Sequence, residues 1–291
     1  MPRAGAASAG CEAAAADYRP LDGAEIESHV AALDTQGYTK IEDFVAPHRV
    51  AELRKLLTQQ LDALGDANYP GYSELRPDDK QVFNLQNKDA RFLDPLSAPA
   101  IERILMAKLN DPYYPAIPAD APNYILGEYI ARASGRPLRM HIDAWMPAPG
   151  PNTWMMQLAV ALDDRDEANG CTTVVPGSHL SGAYSDRDYP NPVTLPAKAG
   201  DVMLWDSRLW HGALANRTDR KAWALVATLQ RWWVKPRFDI TAGLPAAVYA
   251  RLGERQRALL GFCAQPPRDE TQGTNTRQGY DVLPAALTEA F

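Results

Sequence analysis

The first part of the chain has apolar residues every three to four positions, a spacing that predicts amphipathic helices. Such stripes occur over residues 23–38, 47–66 and 101–109. In the first segment the stripe consists of Ile26, Val30 and Leu33, and Gly37 marks its end. Between the first two helices, residues 39–45 predict a short strand.

From about residue 123 the pattern changes to short runs of β-branched and aromatic residues, separated by clusters of Gly, Pro, Asn and Asp. Such runs predict strands. They cover residues 123–134, 139–145, 153–162, 171–176, 200–206 and 222–234. Several short strands at this spacing are typical of a β-sandwich or β-barrel. Residues 246–262 return to the helical pattern.

The length and composition fit one large domain or two small ones, because 291 residues with 46% hydrophobic content can bury a sizeable core. We predict a single domain over residues 18–291. Its expected parts are a helical part (23–110), a β core (about 123–236) and a C-terminal helix and tail (244–291). Residues 1–17 are rich in Ala and Gly and predict a disordered tail.

Charge and cysteine content narrow the class of partner. The net charge of −6 and the lack of a Lys/Arg stripe argue against nucleic acid as a partner. The sequence contains no run of about 18 apolar residues, so it predicts no membrane span. Cys11, Cys171 and Cys263 lie far apart and predict neither a disulfide framework nor a zinc ribbon. We expect a cytoplasmic protein with a small-molecule substrate, and the sequence leaves a homodimer open.

The segment "RMHIDAW" (139–145) contains a histidine and an aspartate two positions apart. In a strand, His141 and Asp143 would point to the same face, an arrangement that suits a metal ion. Such a pair also arises by chance, and a hydrogen-bonded surface pair is the alternative interpretation. A third ligand is needed to decide between them.

Three segments downstream of this pair follow in a distinctive order. They are "NGCTTVVPGSH" (169–179) after an acidic turn, "GDVMLWD" (200–206), and His211 followed by "GALANRT" (212–218). Together with His141 and Asp143 they resemble the phytanoyl-CoA dioxygenase family of iron(II)/2-oxoglutarate oxygenases, over roughly residues 25–236. The resemblance implies a mainly β, α+β fold: a double-stranded β-helix (a jelly-roll, cupin-like core) with flanking N-terminal helices and a C-terminal helix.

By position, the resemblance implies that His141, Asp143 and His211 bind Fe(II). Two histidines and one carboxylate on one face of an octahedral ion leave three positions open, as in non-haem iron oxygenases. There 2-oxoglutarate and O₂ would bind, and succinate and CO₂ would be released as the substrate is hydroxylated or otherwise oxidised. Relatives that halogenate have a small residue in place of the carboxylate, so Asp143 favours oxygenation.

The far carboxylate of 2-oxoglutarate needs a cation, preferably an arginine. In relatives this arginine lies about eleven residues after the second histidine, where this chain has Ala222. We predict that Arg220 takes its place; the alternative is a solvated turn residue. Gln157, the one polar residue in "WMMQLAVAL", is a second candidate, which could instead bond backbone at a strand bend.

Other residues near these motifs have less specific interpretations. His179 is expected to be structural, and His29 and His48 to lie on helix surfaces. Three tryptophans near the ligands could line a substrate pocket or fill the core: Trp145, Trp154 and Trp210. Three arginines precede the His-x-Asp pair, and one of them could bind an acidic substrate group, unless all face water: Arg132, Arg136 and Arg139.

Two other functions remain open at this stage. One is a cupin-like metalloenzyme that does not use 2-oxoglutarate, which the missing arginine at position 222 keeps in play. The other is a catalytically silent β-helix protein that binds a ligand. Dependence on 2-oxoglutarate distinguishes the first from an oxygenase, and metal content distinguishes the second.

Overall fold

The computed structural model describes residues 17–65, 81–114, 117, 120–182, 191–266, 269 and 271. The tail predicted over residues 1–17 lies outside these ranges except for Asp17, and so does most of the C-terminal tail.

The described residues include ten strands, all paired in antiparallel fashion. They are β1 Tyr38–Ile41, β2 Gln81–Phe83, β3 Tyr124–Ala133, β4 Leu138–His141, β5 Met155–Ala161, β6 Thr172–Val174, β7 Val193–Leu195, β8 Val202–Asp206, β9 His211–Ala213 and β10 Trp223–Arg231. A six-stranded sheet has the order β1-β8-β5-β10-β3-β2, and a four-stranded sheet has the order β4-β9-β6-β7. This two-sheet arrangement is the jelly-roll that was predicted.

The helices are α1 Gly23–Thr35, α2 Pro47–Leu64, α3 Pro99–Leu109, α4 Ile240–Gly243, α5 Ala246–Tyr249 and α6 Glu254–Leu259. Helix α1 begins at a capping box, in which the Asp22 side chain accepts from the Glu25 backbone N–H and Glu25 accepts from Asp22. Just after its end, Gly37 adopts a φ of +84°, a backbone conformation that glycine accepts without steric cost.

Three predicted elements differ from the structure. Strand β1 ends at Ile41, so the strand predicted over residues 39–45 is too long. Residues 246–262 do not form one helix. Helix α5 ends at Tyr249, and α6 begins at Glu254, with Gly253 as its N-cap residue. Strand β4 ends at His141, so the strand predicted over residues 139–145 is too long. The short strands β2, β7 and β9 were not predicted, because three residues give too short an alternation to recognise.

The six-stranded sheet is covered on both faces. On β5, Met156, Leu158 and Val160 belong to the core shared with the helices, whereas Ala159 and Ala161 belong to a separate cluster on the opposite face. All seven residues of β5 are therefore buried. The second cluster lines the space between the two sheets, which is where the functional residues meet.

Within the ranges given above, no helix is long and apolar enough to cross a membrane. Cys171 and Cys263 are free thiols and both are buried.

Candidate metal centre

Three predicted ligands converge at one edge of the four-stranded sheet. His141 ends β4 and His211 begins β9, and the two are direct partners in the antiparallel register. The Asp143 carboxylate bridges the two rings: one oxygen is 3.3 Å from His141 Nε2 and the other is 3.3 Å from His211 Nε2. The donor atoms of all three lie within 4.8 Å of one another.

Asp143 reaches this point by a different route from the one the sequence suggested. It does not share a strand face with His141, because the strand ends two residues before Asp143. Instead, the backbone N–H groups of Asp143 and Ala144 both donate to the carbonyl of Ser207, at 2.8 and 2.9 Å. These two hydrogen bonds fix the turn that returns the carboxylate to the histidines.

Both histidine rings are oriented by the backbone. His141 Nδ1 lies 2.8 Å from the carbonyl of Arg139, and His211 Nδ1 lies 3.0 Å from the carbonyl of Leu209. Since a carbonyl can only accept, each Nδ1 carries a proton, and each Nε2 faces the centre, where its lone pair would bind a metal ion.

This donor set fits an octahedral metal ion. Ligand bonds near 2.1 Å place neighbouring donor atoms about 3 Å apart, close to the observed spacing. Two imidazoles and one carboxylate on one face are the ligand set of non-haem Fe(II) sites.

Electrostatics couple the three side chains. Burial raises the pKa of the Asp143 carboxyl, but His211 and His141 outweigh this and hold that pKa well below its usual range. Burial lowers the pKa of His141, yet its hydrogen bond to Asp143 and the charge of that carboxylate raise it overall. Without metal, the carboxylate therefore favours a protonated imidazole, and a divalent cation replaces that proton on binding.

The triad opens into a cavity of about 540 Å³ between the two sheets. The six-stranded sheet contributes residues such as Gln157, Trp205 and Thr228, and the four-stranded sheet contributes Thr172 and Gly212. Trp145, 66% exposed, also lines it. The volume is that of a pocket for a small organic molecule.

The two residues predicted to bind 2-oxoglutarate, Gln157 and Arg220, lie in different places relative to the cavity. Gln157 is buried and lines the cavity, but its amide already has side-chain partners: it donates to Ser207 Oγ at 3.2 Å and accepts from Thr228 Oγ1 at 2.9 Å. Arg220 lies in an exposed turn and is not among the cavity-lining residues, so the structure does not bring it to the triad. Ala222 is buried.

The remaining histidines lie away from the triad. His179 is buried and its Nε2 is 3.2 Å from the carbonyl of Asp34 at the end of α1, which is the structural role expected of it. His29 contacts Thr39 Oγ1 at 2.7 Å, and the exposed His48 pairs with Asp17 at 2.7 Å.

A buried ion pair next to the site was not predicted. Arg208 pairs with Asp206 at 2.7 Å, and both side chains are at most 5% exposed. Arg208 also donates to the carbonyls of Ala148 and Gly150, in the loop that follows Asp143. The signal was present in the sequence: two opposite charges inside the apolar run "VMLWDSRLW" need partners if that run is buried.

Comparisons with known proteins agree with this geometry. The chain matches the family model described as phytanoyl-CoA dioxygenase (PhyH) over residues 33–222. It is 33% identical over 129 residues to the dioxygenase FUM3 of Gibberella moniliformis, covering 43% of this chain and 41% of that one. It is 26% identical over 207 residues to the dioxygenase af480 of Aspergillus fumigatus, covering 69% and 64%. The matches thus span less than two thirds of either relative.

Among solved structures, the fold resembles that of the epimerase SnoN in complex with Fe³⁺, alpha ketoglutarate and nogalamycin RO. The TM-score is 0.59 at 21% sequence identity, covering 77% of this chain and 92% of that one. This likeness supports the jelly-roll fold.

Proposed function

The chain belongs to the phytanoyl-CoA dioxygenase family, and we propose that it is an Fe(II)- and 2-oxoglutarate-dependent dioxygenase that oxidises a small organic molecule. The observation that carries this proposal is the convergence of His141, Asp143 and His211 at a cavity between the sheets. The solved relative that binds iron and alpha ketoglutarate adds support.

In this proposal the three ligands hold Fe(II) on one face, with both Nε2 atoms already aimed at it. When bound, iron and 2-oxoglutarate supply the oxidising chemistry with O₂, releasing succinate and CO₂. Asp143 occupies the carboxylate position, which favours hydroxylation or a related oxidation over halogenation. The expected product with chloride present is chlorine-free, and mass spectrometry of the reaction mixture would reveal any exception.

The cavity supports a substrate with an apolar body. The exposed indole of Trp145 offers a flat apolar surface along its lining, and Ile130 and Val226 extend that character inward. The lining also includes Glu128 and Arg237, which form an ion pair at 3.0 Å and offer polar contacts. Small organic molecules of this kind match a cavity of about 540 Å³.

The decisive experiment is an anaerobic titration of the metal-free protein with Fe(II) and then 2-oxoglutarate, followed by absorption. Chelation of the keto acid gives a visible metal-to-ligand charge-transfer band, which we expect only when both components are present. His211→Ala is the control and should lose the band. Succinate release in the presence of candidate substrates then identifies the substrate class.

Two outcomes would favour the other functions. Fe(II) binding with no band at any 2-oxoglutarate concentration would favour a cupin-like metalloenzyme without this cosubstrate. Absence of metal binding would favour a silent ligand-binding protein, although the intact triad argues against it.

We also propose a reducing, cytoplasmic setting, which the two free buried thiols, Cys171 and Cys263, support. The partner that we propose is a small-molecule substrate. The homodimer stays a prediction, to be checked by light scattering.

A further inference from the structure

The cavity needs a cation for the far carboxylate of 2-oxoglutarate, and the two positions suggested by the sequence do not supply one. Ala222 has no charge, and Arg220 is exposed outside the cavity lining. The lining itself contains three arginines, Arg132, Arg165 and Arg237. Which of them can accept a carboxylate depends on the partners that each already has.

Arg237 is already occupied, since it forms its ion pair with Glu128. Arg165 is different. Its Nη2 donates to the carbonyl of Gly170 at 3.3 Å, but its Nε is buried without a hydrogen-bond partner among the residues described. Nor does Arg165 form an ion pair within that part of the chain. A buried donor left without an acceptor is costly, so a missing acceptor is the simplest explanation.

The acid whose charge stabilises Arg165 does not fill this role. Asp163 is close enough to Arg165 to stabilise its charge, but the carboxylate of Asp163 is directed to Arg54 at 3.2 Å and accepts from the backbone N–H of Trp223 at 2.7 Å. Arg165 is therefore a cation whose Nε has no acceptor among the described residues.

Arg165 lies near a second cation and shares the cavity lining with a second unpartnered donor. Burial and the neighbouring charge of Arg132 both lower the pKa of the Arg165 guanidinium. Two like charges on one cavity wall repel each other until an anion lies near them. Trp205, which lines the same cavity, adds a second buried N–H donor, Nε1, that has no partner among the described residues.

We propose that Arg165, with support from Arg132 and the indole N–H of Trp205, binds the far carboxylate of 2-oxoglutarate. This inference rests on the proposed function and assigns to that site an anion position that neither Arg220 nor Ala222 provides. The guanidinium fork can donate two parallel hydrogen bonds to a carboxylate, which a lysine cannot do.

The test is the anaerobic absorption titration of Fe(II)-loaded protein with two keto acids. 2-Oxoglutarate has the far carboxylate, and pyruvate chelates iron through the same keto-acid group without it. We expect Arg165→Ala to raise the dissociation constant of 2-oxoglutarate by roughly 10- to 100-fold. The same variant should leave the dissociation constants of Fe(II) and of pyruvate within about twofold of wild type.

Two further variants sharpen the result. Arg165→Lys keeps the charge and loses the fork, so it should show a smaller loss, roughly 3- to 10-fold. Arg220→Ala is the matched control, because it removes an arginine outside the cavity, and its 2-oxoglutarate affinity should equal that of wild type. If Arg165→Ala also loses Fe(II) affinity, the 2-oxoglutarate affinity of Arg165→Lys becomes the test, since lysine preserves the bulk and the charge of the side chain.

An unchanged affinity for 2-oxoglutarate in the Arg165 variants would overturn this inference and leave the proposed function intact. Equal losses for 2-oxoglutarate and pyruvate would also overturn it, because they would indicate a general disturbance of the iron site. If wild type forms no band with either keto acid, the proposed function fails first and this inference with it.

Discussion

Each triad histidine uses one ring nitrogen for the protein and keeps the other for the metal. In both cases the partner is the backbone carbonyl two residues earlier in the chain, that of Arg139 or of Leu209. A backbone acceptor is not removed by any side-chain substitution. The tautomer of both ligands is therefore fixed by local chain geometry, and only the carboxylate depends on a separate loop.

Asp143→Asn should weaken Fe(II) binding by at least about tenfold, because a neutral amide oxygen is a poorer ligand for Fe(II) than a carboxylate. The amide keeps the size of the side chain, so the backbone hydrogen bonds to Ser207 should survive. Titration with Fe(II) under anaerobic conditions measures the affinity. An affinity equal to that of wild type would remove Asp143 from the ligand set.

His179 gives the folded protein a pH dependence of its own. Burial lowers its pKa, with Asp206 opposing, so the unfolded chain takes up a proton before the folded one does. Because the unfolded state then binds more protons, stability falls as the pH drops through the ordinary histidine pKa of about 6.5. His29 shares this direction, since its pKa is also lowered by burial.

We therefore expect the melting temperature to fall less between pH 7.5 and pH 5.5 in His179→Asn than in wild type. At pH 7.5 the variant should be less stable, because it loses its packing against the Gly37 turn. Calorimetry at the two pH values measures both effects. An equally steep slope in His179→Asn would contradict the assignment.

At the scale of elements, the metal centre depends on how closely β4 and β9 approach. Gly212 is the middle residue of β9: a Cβ at this position would be 2.6 Å from the carbonyl oxygen of Leu138 and 3.3 Å from Thr173 Oγ1. Backbone cannot move aside as a flexible side chain can. The strand carrying His211 therefore needs a glycine at its second residue.

Gly212→Ala should separate β4 from β9, lowering stability by about 1–3 kcal/mol and weakening Fe(II) binding. Gly23→Ala is the matched control, because nothing lies within 4 Å of its added methyl group and alanine favours the helix it begins. Denaturant unfolding and metal titration measure the two effects. Loss of stability without any change in metal affinity would show that the strand spacing does not control the centre.

The loop after Asp143 depends on the buried Arg208. Arg208→Ala removes the two hydrogen bonds to the carbonyls of Ala148 and Gly150 and leaves Asp206 as an uncompensated buried charge. We expect a stability loss of roughly 3–5 kcal/mol, and faster amide exchange in residues 144–150. Arg139→Ala, whose side chain is exposed, is the control. Slow exchange retained in that loop would argue against this role.

The sequence predicts the long elements well because they repeat their pattern often enough to recognise. Strands β3, β5, β8 and β10 lie within their predicted segments, and α1 and α2 end within three residues of their predicted limits. The three residues predicted as metal ligands converge in the structure, but the reason given for Asp143 was wrong, since a loop and not a strand face brings it in. The open donors of Arg165 and Trp205 follow from tertiary packing, so no local pattern could reveal them.

For the whole molecule, the site lies where two sheets face each other, and its ligands would connect them. The metal ligands belong to β4, β9 and the loop tied to Ser207, whereas Arg132, Gln157 and Trp205 belong to the six-stranded sheet. Metal alone would thus hold one edge of the smaller sheet, and 2-oxoglutarate would add contacts across the cavity.

This arrangement predicts stepwise stabilisation against heat. Metal at about a hundred times its dissociation constant should add about 2.7 kcal/mol, which for a domain of this size raises the melting temperature by roughly 4–5 °C. Mn(II) can replace Fe(II) to avoid oxidation during calorimetry, and 2-oxoglutarate should give a further rise only when metal is present. His211→Ala should show neither step. An equal rise in that variant would place the stabilising metal elsewhere on the protein, and a rise with 2-oxoglutarate alone would mean that its carboxylates bind without the metal.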